Sequence, residues 1–205
     1  MDWLLKFPSV REVCKILLAN WANPSGVTRM KEVLLPAVGW IPGKTAYLGS
    51  RKSNAIGLEM SSQVNSRGLG AYADTLDDLY GAIFKATMKI AVVGRAYYSN
   101  FHQADIFEVD NLGIYLRDTY DFNAEAHFDR SIGLGVWSRD RLLSKREMTD
   151  YLSATMVRRA LFFPDFVPVR NEDFSRWRNA QGTGGDFFVF SDVLWQLPLQ
   201  RNIRL

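Results

Sequence analysis

Thr87-Met88-Lys89-Ile90-Ala91-Val92-Val93-Gly94-Arg95-Ala96-Tyr97-Tyr98 is dominated by β-branched and aromatic residues, the side chains that suit a pleated, half-buried surface. Gln103–Val109 and Leu112–Asp118 repeat that character after the turn-forming pairs Ser99-Asn100 and Asp110-Asn111. Neighbouring runs at this spacing predict an antiparallel meander of three strands. Immediately upstream, Asp74-Thr75-Leu76-Asp77-Asp78-Leu79-Tyr80 puts acids in a first turn and Leu76, Leu79, Tyr80, Ile83 and Phe84 on one face. That spacing predicts a helix of about ten residues. Downstream, Ser131–Ser138 and Ala160–Val169 read as strands with a helix over Lys145–Val157 between them. Asn171 is the expected N-cap of a helix over 172–179, Gly182–Gly185 closes it, Asp186–Phe190 is a strand, and Ser191–Leu197 continues as strand or bulge.

The two ends frame this centre. Ser9-Val10-Arg11-Glu12 has the form of a capping box, and Val10, Cys14, Leu17, Leu18 and Trp21 follow at helical spacing until Asn23-Pro24-Ser25-Gly26 ends the pattern. Prolines, glycines and polar stretches interrupt residues 27–73, so little regular structure is expected there. No internal repeat or flexible linker divides the chain. The economical expectation is one α+β domain over 1–205. Residues 1–73 supply a helix and a loop-rich part, and 74–205 supply an antiparallel sheet, barrel-like in one version, with flanking helices.

Composition removes several functional classes. A chain of 205 residues can bury a hydrophobic core without staples. One cysteine forms no internal disulfide, and with only two histidines beside it the Cys/His-rich structural zinc folds are excluded. Charge chemistry must therefore rest on carboxylates and arginines. Residues 1–128 carry 13 Lys+Arg and 13 Asp+Glu, whereas 129–205 carry 12 and 9, so the net excess of cations is C-terminal. Arginine makes up 11 of those 12 cations, which suits an anionic partner. The even charge of the first part and the lack of a continuous basic stripe argue against nucleic acid. Asp2 and Lys6 interrupt the N-terminal apolar residues, and no signal peptide is expected; no run reaches the roughly 18 apolar residues of a spanning helix. The expectation is synthesis in the cytoplasm.

Gly39-Trp40-Ile41-Pro42-Gly43-Lys44-Thr45 imitates a phosphate-binding loop, but three residues separate its glycines where four are required, and Pro42 lacks a donor N–H. A turn beside a strand is expected instead. The richer segment is Arg117-Asp118-Thr119-Tyr120-Asp121-Phe122-Asn123 with His127 and Arg130. Carboxylates to hold a divalent cation or activate water, arginine to balance phosphate charge and an imidazole to move a proton are the parts phosphoryl chemistry uses. Asp118 and Tyr120 point to one face of an extended strand and Thr119 and Asp121 to the other, so a turn near Asp121 is needed to bring the acids together.

Asp118-x-Tyr120-Asp121, with His127 six residues beyond the second acid, resembles the Asp-x-Tyr-Asp-x5-His-Arg signature of colicin M-type bacteriocins. Phe128 stands where that family has arginine, and Arg130 is the candidate substitute. The resemblance implies metal-dependent cleavage of lipid II, the undecaprenyl-pyrophosphate-linked peptidoglycan precursor, at the periplasmic face of a target membrane. Its implied catalytic set is Asp118, Tyr120, Asp121, His127 and Arg130. Arg117 and Asn123 would contact substrate, and Asp118 and Asp121 would hold Mg2+ or another divalent cation.

A second resemblance covers more of the chain. Asp77-Asp78-Leu79-Tyr80-Gly81-Ala82, Gly113–Asn123, Leu134-Gly135-Val136-Trp137, Phe174-x-x-Trp177, Gly184-Gly185-Asp186-Phe187 and Phe190-Ser191-Asp192-Val193 look like an uncharacterised bacterial domain family associated with type VI secretion and polymorphic toxin loci. It implies an interbacterial effector moved by a secretion-apparatus carrier or chaperone and neutralised by a cognate immunity protein. The alternative is a non-enzymatic secretion-associated module or a membrane-acting toxin, with Trp137, Trp177 and Trp195 as core or interface anchors.

Overall fold

The structure is a computed structural model, and it describes residues 1–69, 79, 83, 86–120, 133–141 and 143–205. Apart from Leu79 and Ile83, where the Ile83 N–H donates to the Leu79 carbonyl at 2.8 Å as in a helical turn, the expected helix over Asp74–Phe84 lies outside the described residues, as do the first two residues of the strand expected from Ser131.

A long hairpin organises the main sheet. Strand β3 (Ala86–Ser99) pairs antiparallel with β4 (Ala104–Tyr120) from Ala86 opposite Asp118 to Ser99 opposite Ala104. The Asp110-Asn111 pair, expected as a turn between two strands, lies inside β4 at a β-bulge. Val93 pairs with Asn111 and Gly94 with Val109, which leaves Asp110 as the extra residue. One inserted residue reverses the side-chain parity. Phe107 and Val109 before the bulge, and Leu112, Ile114 and Leu116 after it, all enter the same core.

Two short strands extend the other edge of β3: β1 (Ala46–Leu48) pairs at Gly94–Ala96, and β2 (Gln63–Leu69) pairs over Ala86–Ala91. On the far side β4 pairs with β7 (Phe187–Phe190), β8 (Leu194–Gln196) and β9 (Asn202–Arg204). The fold is therefore α+β, with an open, mostly antiparallel seven-stranded sheet; the barrel-like version is corrected, since no pairing joins the β1/β2 edge to the β7/β8/β9 edge among the described residues.

Helix α1 (Pro8–Asn20) covers one face with buried Val10, Cys14 and Leu17, continued by Trp21. Its start differs from the expected capping box. Pro8 occupies the first turn, where its missing N–H costs nothing, and Ser9 is already helical. Residues 27–69, the described part of the segment expected to be loop-rich, are also more regular than expected. Asn23 caps α2 (Pro24–Arg29) through the Gly26 N–H at 2.8 Å, a π-helical turn (Met30–Leu34) and α3 (Leu35–Ala37) follow, and Asn54 caps α4 (Ala55–Ser61) through Gly57 N–H at 2.9 Å. The Asn and Gly residues that resemble loop markers are helix starts here. The Gly39–Thr45 segment is a turn before β1, with Gly39 and Gly43 at φ +78° and +80° and Gly43 N–H donating to Asp105 at 2.9 Å.

Met30, Leu34, Leu35, Met88, Ile90, Val92 and the apolar β4 residues complete the larger core. A smaller core on the opposite face joins Ala55 and Leu58 of α4 to Ala91 and Tyr115, with Val93, Phe190, Val193 and Trp195 against it. Helices thus cover both faces of the sheet.

The chain divides into two compact units, one formed by Met1–Asp118 and Phe188–Leu205, the other by Thr119–Phe187. The second has its own two-stranded sheet, β5 (Gly133–Trp137) with β6 (Val167–Arg170), and a small core of Val136, Leu143 and Tyr151 packed by Met148, Phe163 and Phe166. The helix expected over Lys145–Val157 is two helices, α5 (Lys145–Ser153) and α6 (Met156–Phe162), because Thr155 starts a second N-cap. Most of the expected strand Ala160–Val169 is accordingly helix end and turn, with strand only from Val167. Helix α7 (Asn171–Gln181) begins one residue earlier than expected. Arg170 holds the cap position and its N–H donates to Asp173 at 2.9 Å, while Gly182 at φ +63° closes the helix.

Candidate functional site

Two parts of the fold carry the chemistry that is geometrically defined. The first is where β4 leaves the main sheet. Asp118 is a buried carboxyl at 6% exposure, opposite Ala86 and in the parity of Leu112, Ile114 and Leu116. Arg117, next to it, belongs to the opposite face of β4. The backbone of Tyr120 ends the strand, while Asp121, Asn123, His127 and Arg130 lie outside the described residues. Of the expected catalytic and substrate-binding set, then, Asp118 and Arg117 are seen with their side chains, and the strand directs them to different faces. The other histidine, His102, sits in the β3–β4 turn with its ring edge-on to Phe101 at 4.9 Å.

The second part is a polar cluster that sequence reading overlooked. Glu59, on α4, lies over the smaller core and accepts hydrogen bonds from Lys89 Nζ, from Tyr115 Oη at 2.7 Å and from Arg117 Nη1 at 3.0 Å. Lys89 belongs to β3 and the other two donors to β4, so one carboxylate ties the helix to the two central strands. The Arg117 guanidinium also lies over the Phe188 ring, 4.3 Å from its centroid. Burial pushes the Glu59 carboxyl up, but the hydrogen bonds from Lys89, Tyr115 and Arg117 and the Lys89 charge outweigh it and hold the group below its usual range. Tyr115 moves the other way: burial first, then the bond to Glu59 and its negative charge, keep the phenol protonated well beyond its normal range. A carboxylate fixed by two cations and a phenol has little capacity to exchange protons near neutrality; its role is to lock α4 to the sheet. The available signal was Lys89 and Arg117, cations that follow apolar or small residues inside strand-forming runs.

Among the described residues no group of three or more His, Cys, Asp and Glu could hold a metal ion. Of the two acids expected to ligate a divalent cation, Asp118 is described and Asp121 lies outside the described residues. A shallow groove beside the end of α1, lined by Leu18, Trp21, Asn23, Pro24, Leu199 and Gln200, has no acid or base among its lining residues. Trp195 packs in the smaller core, whereas Trp137 and Trp177 are 45% and 50% exposed. No helix among the described residues is long and apolar enough to cross a membrane.

No curated protein and no solved structure matches the chain. A family model does, over residues 1–205. The chain belongs to the family of unknown function DUF6402.

Proposed function

We propose that this protein is an antibacterial effector that hydrolyses a lipid-linked pyrophosphate, lipid II in the first instance, in the periplasm of a target cell. The observation that supports it most is the placement of Asp118: a carboxyl at 6% exposure on the last sheet position before the chain enters the second unit. Strand ends feeding loops are where fixed catalytic groups are commonly held. In this reading Asp118 and Asp121 activate water, Tyr120 orients the acids, His127 supplies the leaving-group proton and Asn123 contacts the substrate. Since Glu59 engages Arg117 on the opposite face, Arg130 balances the pyrophosphate charge. Mg2+ or a similar ion held by the acids would add Lewis-acid assistance. Delivery would use a secretion-apparatus carrier, and a cognate immunity protein would protect the producer.

The test is periplasm-directed expression of Asp121→Asn and His127→Ala beside the unaltered protein. Toxicity is expected to fall at least about 100-fold for both, the scale of a lost general acid or base, with circular dichroism unchanged. Undiminished killing by both variants would sink the reading.

A specific observation favours a second reading, a binding module: α6 buries none of its residues and leaves Met156, Val157, Leu161 and Phe162 exposed. It predicts that the two variants keep full activity.

A further inference from the structure

Helix α6 is built inside out. Thr155 caps α6 by accepting the Arg158 N–H at 3.4 Å, and the helix then turns its apolar side chains to solvent: Met156 is 86% exposed, Val157 69%, Leu161 71% and Phe162 68%. Leu152, at the end of α5, is 63% exposed beside them in sequence. What turns inward is a cation. Arg159 donates from Nε to the Tyr151 carbonyl at 2.7 Å and from Nη2 to the Leu152 carbonyl at 2.9 Å, and its guanidinium stacks over the Tyr151 ring at 4.8 Å. The Tyr151 carbonyl also accepts the Ala154 N–H at 3.3 Å, and the Arg159 bonds add further donors at the C-terminal end of α5, so they fix which side of α6 faces the unit. Rotating the helix about its axis would break them.

A helix of seven residues is far below the length that holds together in water alone, and it ordinarily relies on packing its apolar face. Here Met156, Val157, Leu161 and Phe162 are exposed instead, so these side chains are suited to contact with a partner surface. The charge pattern selects which. Between Asp150 and Asp165 the chain carries Arg158 and Arg159 and not one acid. Exposed Met, Val, Leu and Phe beside arginine is the composition of a segment that lies in a bilayer interface, with its apolar side chains at the headgroup boundary and its cation on lipid phosphate. We propose that α6 docks this protein on an anionic lipid surface, with Met156, Leu161 and Phe162 entering the interface and Arg158 pairing with phosphate. The inference stands independently of the hydrolytic reading, since it needs no reaction.

The experiment is co-sedimentation of the full chain with vesicles of phosphatidylcholine alone and of a phosphatidylcholine and phosphatidylglycerol mixture, neither containing a lipid-linked pyrophosphate. Binding to the mixed vesicles is expected, weak or absent on the neutral ones and reduced by salt. Leu161→Glu with Phe162→Glu is expected to lower it at least about tenfold. Arg158→Glu, which leaves every apolar group in place, should remove the preference for anionic lipid. Because all three side chains are exposed, the variants should retain the circular dichroism of the parent. Three results would overturn the proposal: no binding to the mixed vesicles, unchanged binding by the double variant, or equal binding to both vesicle types. A concentration-dependent dimer dissolved by the double variant would overturn it too, by making a second copy the occupant of the face.

Discussion

Gly94→Ala should be the most damaging glycine-to-alanine change among the glycines the structure describes, with a loss of about 3–4 kcal/mol of stability. Gly94 stands in β3 opposite Val109, at the step where Asp110 bulges out of β4. A Cβ there would overlap the Glu108 carbonyl oxygen and press on Glu108 C and Val109 Cα, each 3.0 Å away. All three are backbone atoms of the partner strand, so relief requires the hairpin to separate where both of its strands feed the larger core. For a domain of this size the loss corresponds to a melting point lowered by about 10 °C. Gly68→Ala is the internal control: it lies in β2 of the same sheet, and a Cβ there meets nothing within 4 Å. That change should be neutral or slightly stabilising, because alanine restricts the unfolded chain. Equal melting points for the two variants would contradict the bulge as described.

Glu59→Ala should follow, at about 2–3 kcal/mol and a melting point lower by roughly 5–10 °C. The cost comes less from the lost bonds than from what remains. Lys89 and Arg117, with side chains 12% and 29% exposed, would keep their positive charges side by side with no carboxylate between them. The buried Tyr115 hydroxyl would also lose its acceptor. The cluster should leave its mark on the pH dependence as well. The folded-state pKa of Glu59 lies below its unfolded value, so its contribution is complete above the ordinary carboxylate range, about 4.3, and is lost as pH falls through the lower folded value. Tyr115 acts at the other end. Its folded pKa is raised, so its contribution holds below the ordinary phenol value of about 10 and declines as pH rises past it. Thermal unfolding from acid to alkaline pH should therefore show both losses in the parent, with the acid loss diminished in Glu59→Ala. An identical acid limb in the two proteins would show that Glu59 is not what titrates.

The central β3–β4 pairing was legible because β-branched and aromatic residues crowd it, and the α+β class follows from that stretch. What misled was local chemistry that serves two purposes. Asp110-Asn111 reads as a turn, but its parity change marks a bulge: the apolar positions shift from Phe107 and Val109 to Leu112, Ile114 and Leu116, which one extra residue explains and a turn does not. Asn23 and Asn54 look like loop residues until their side chains are seen to cap helices. Thr155 hides inside a helical pattern that it divides. The Glu59 cluster was the least visible feature, since it joins a helix to residues on two strands far along the chain, and spacing alone carries no signal of such a contact. The parity of β4 places Arg117 and Asp118 on opposite faces, and this was readable in advance; that Arg117 is spoken for by Glu59 was not.

Lipid II incubated with the purified protein decides whether the chain is a hydrolase. Water should be added across the bond between the lipid and its pyrophosphate, releasing the free lipid alcohol and the pyrophosphorylated headgroup. Asp121→Asn, folded as judged by circular dichroism, should release them at least about 100-fold more slowly. No headgroup release by the unaltered protein with Mg2+ present, or release at the same rate by Asp121→Asn, would contradict the hydrolytic reading.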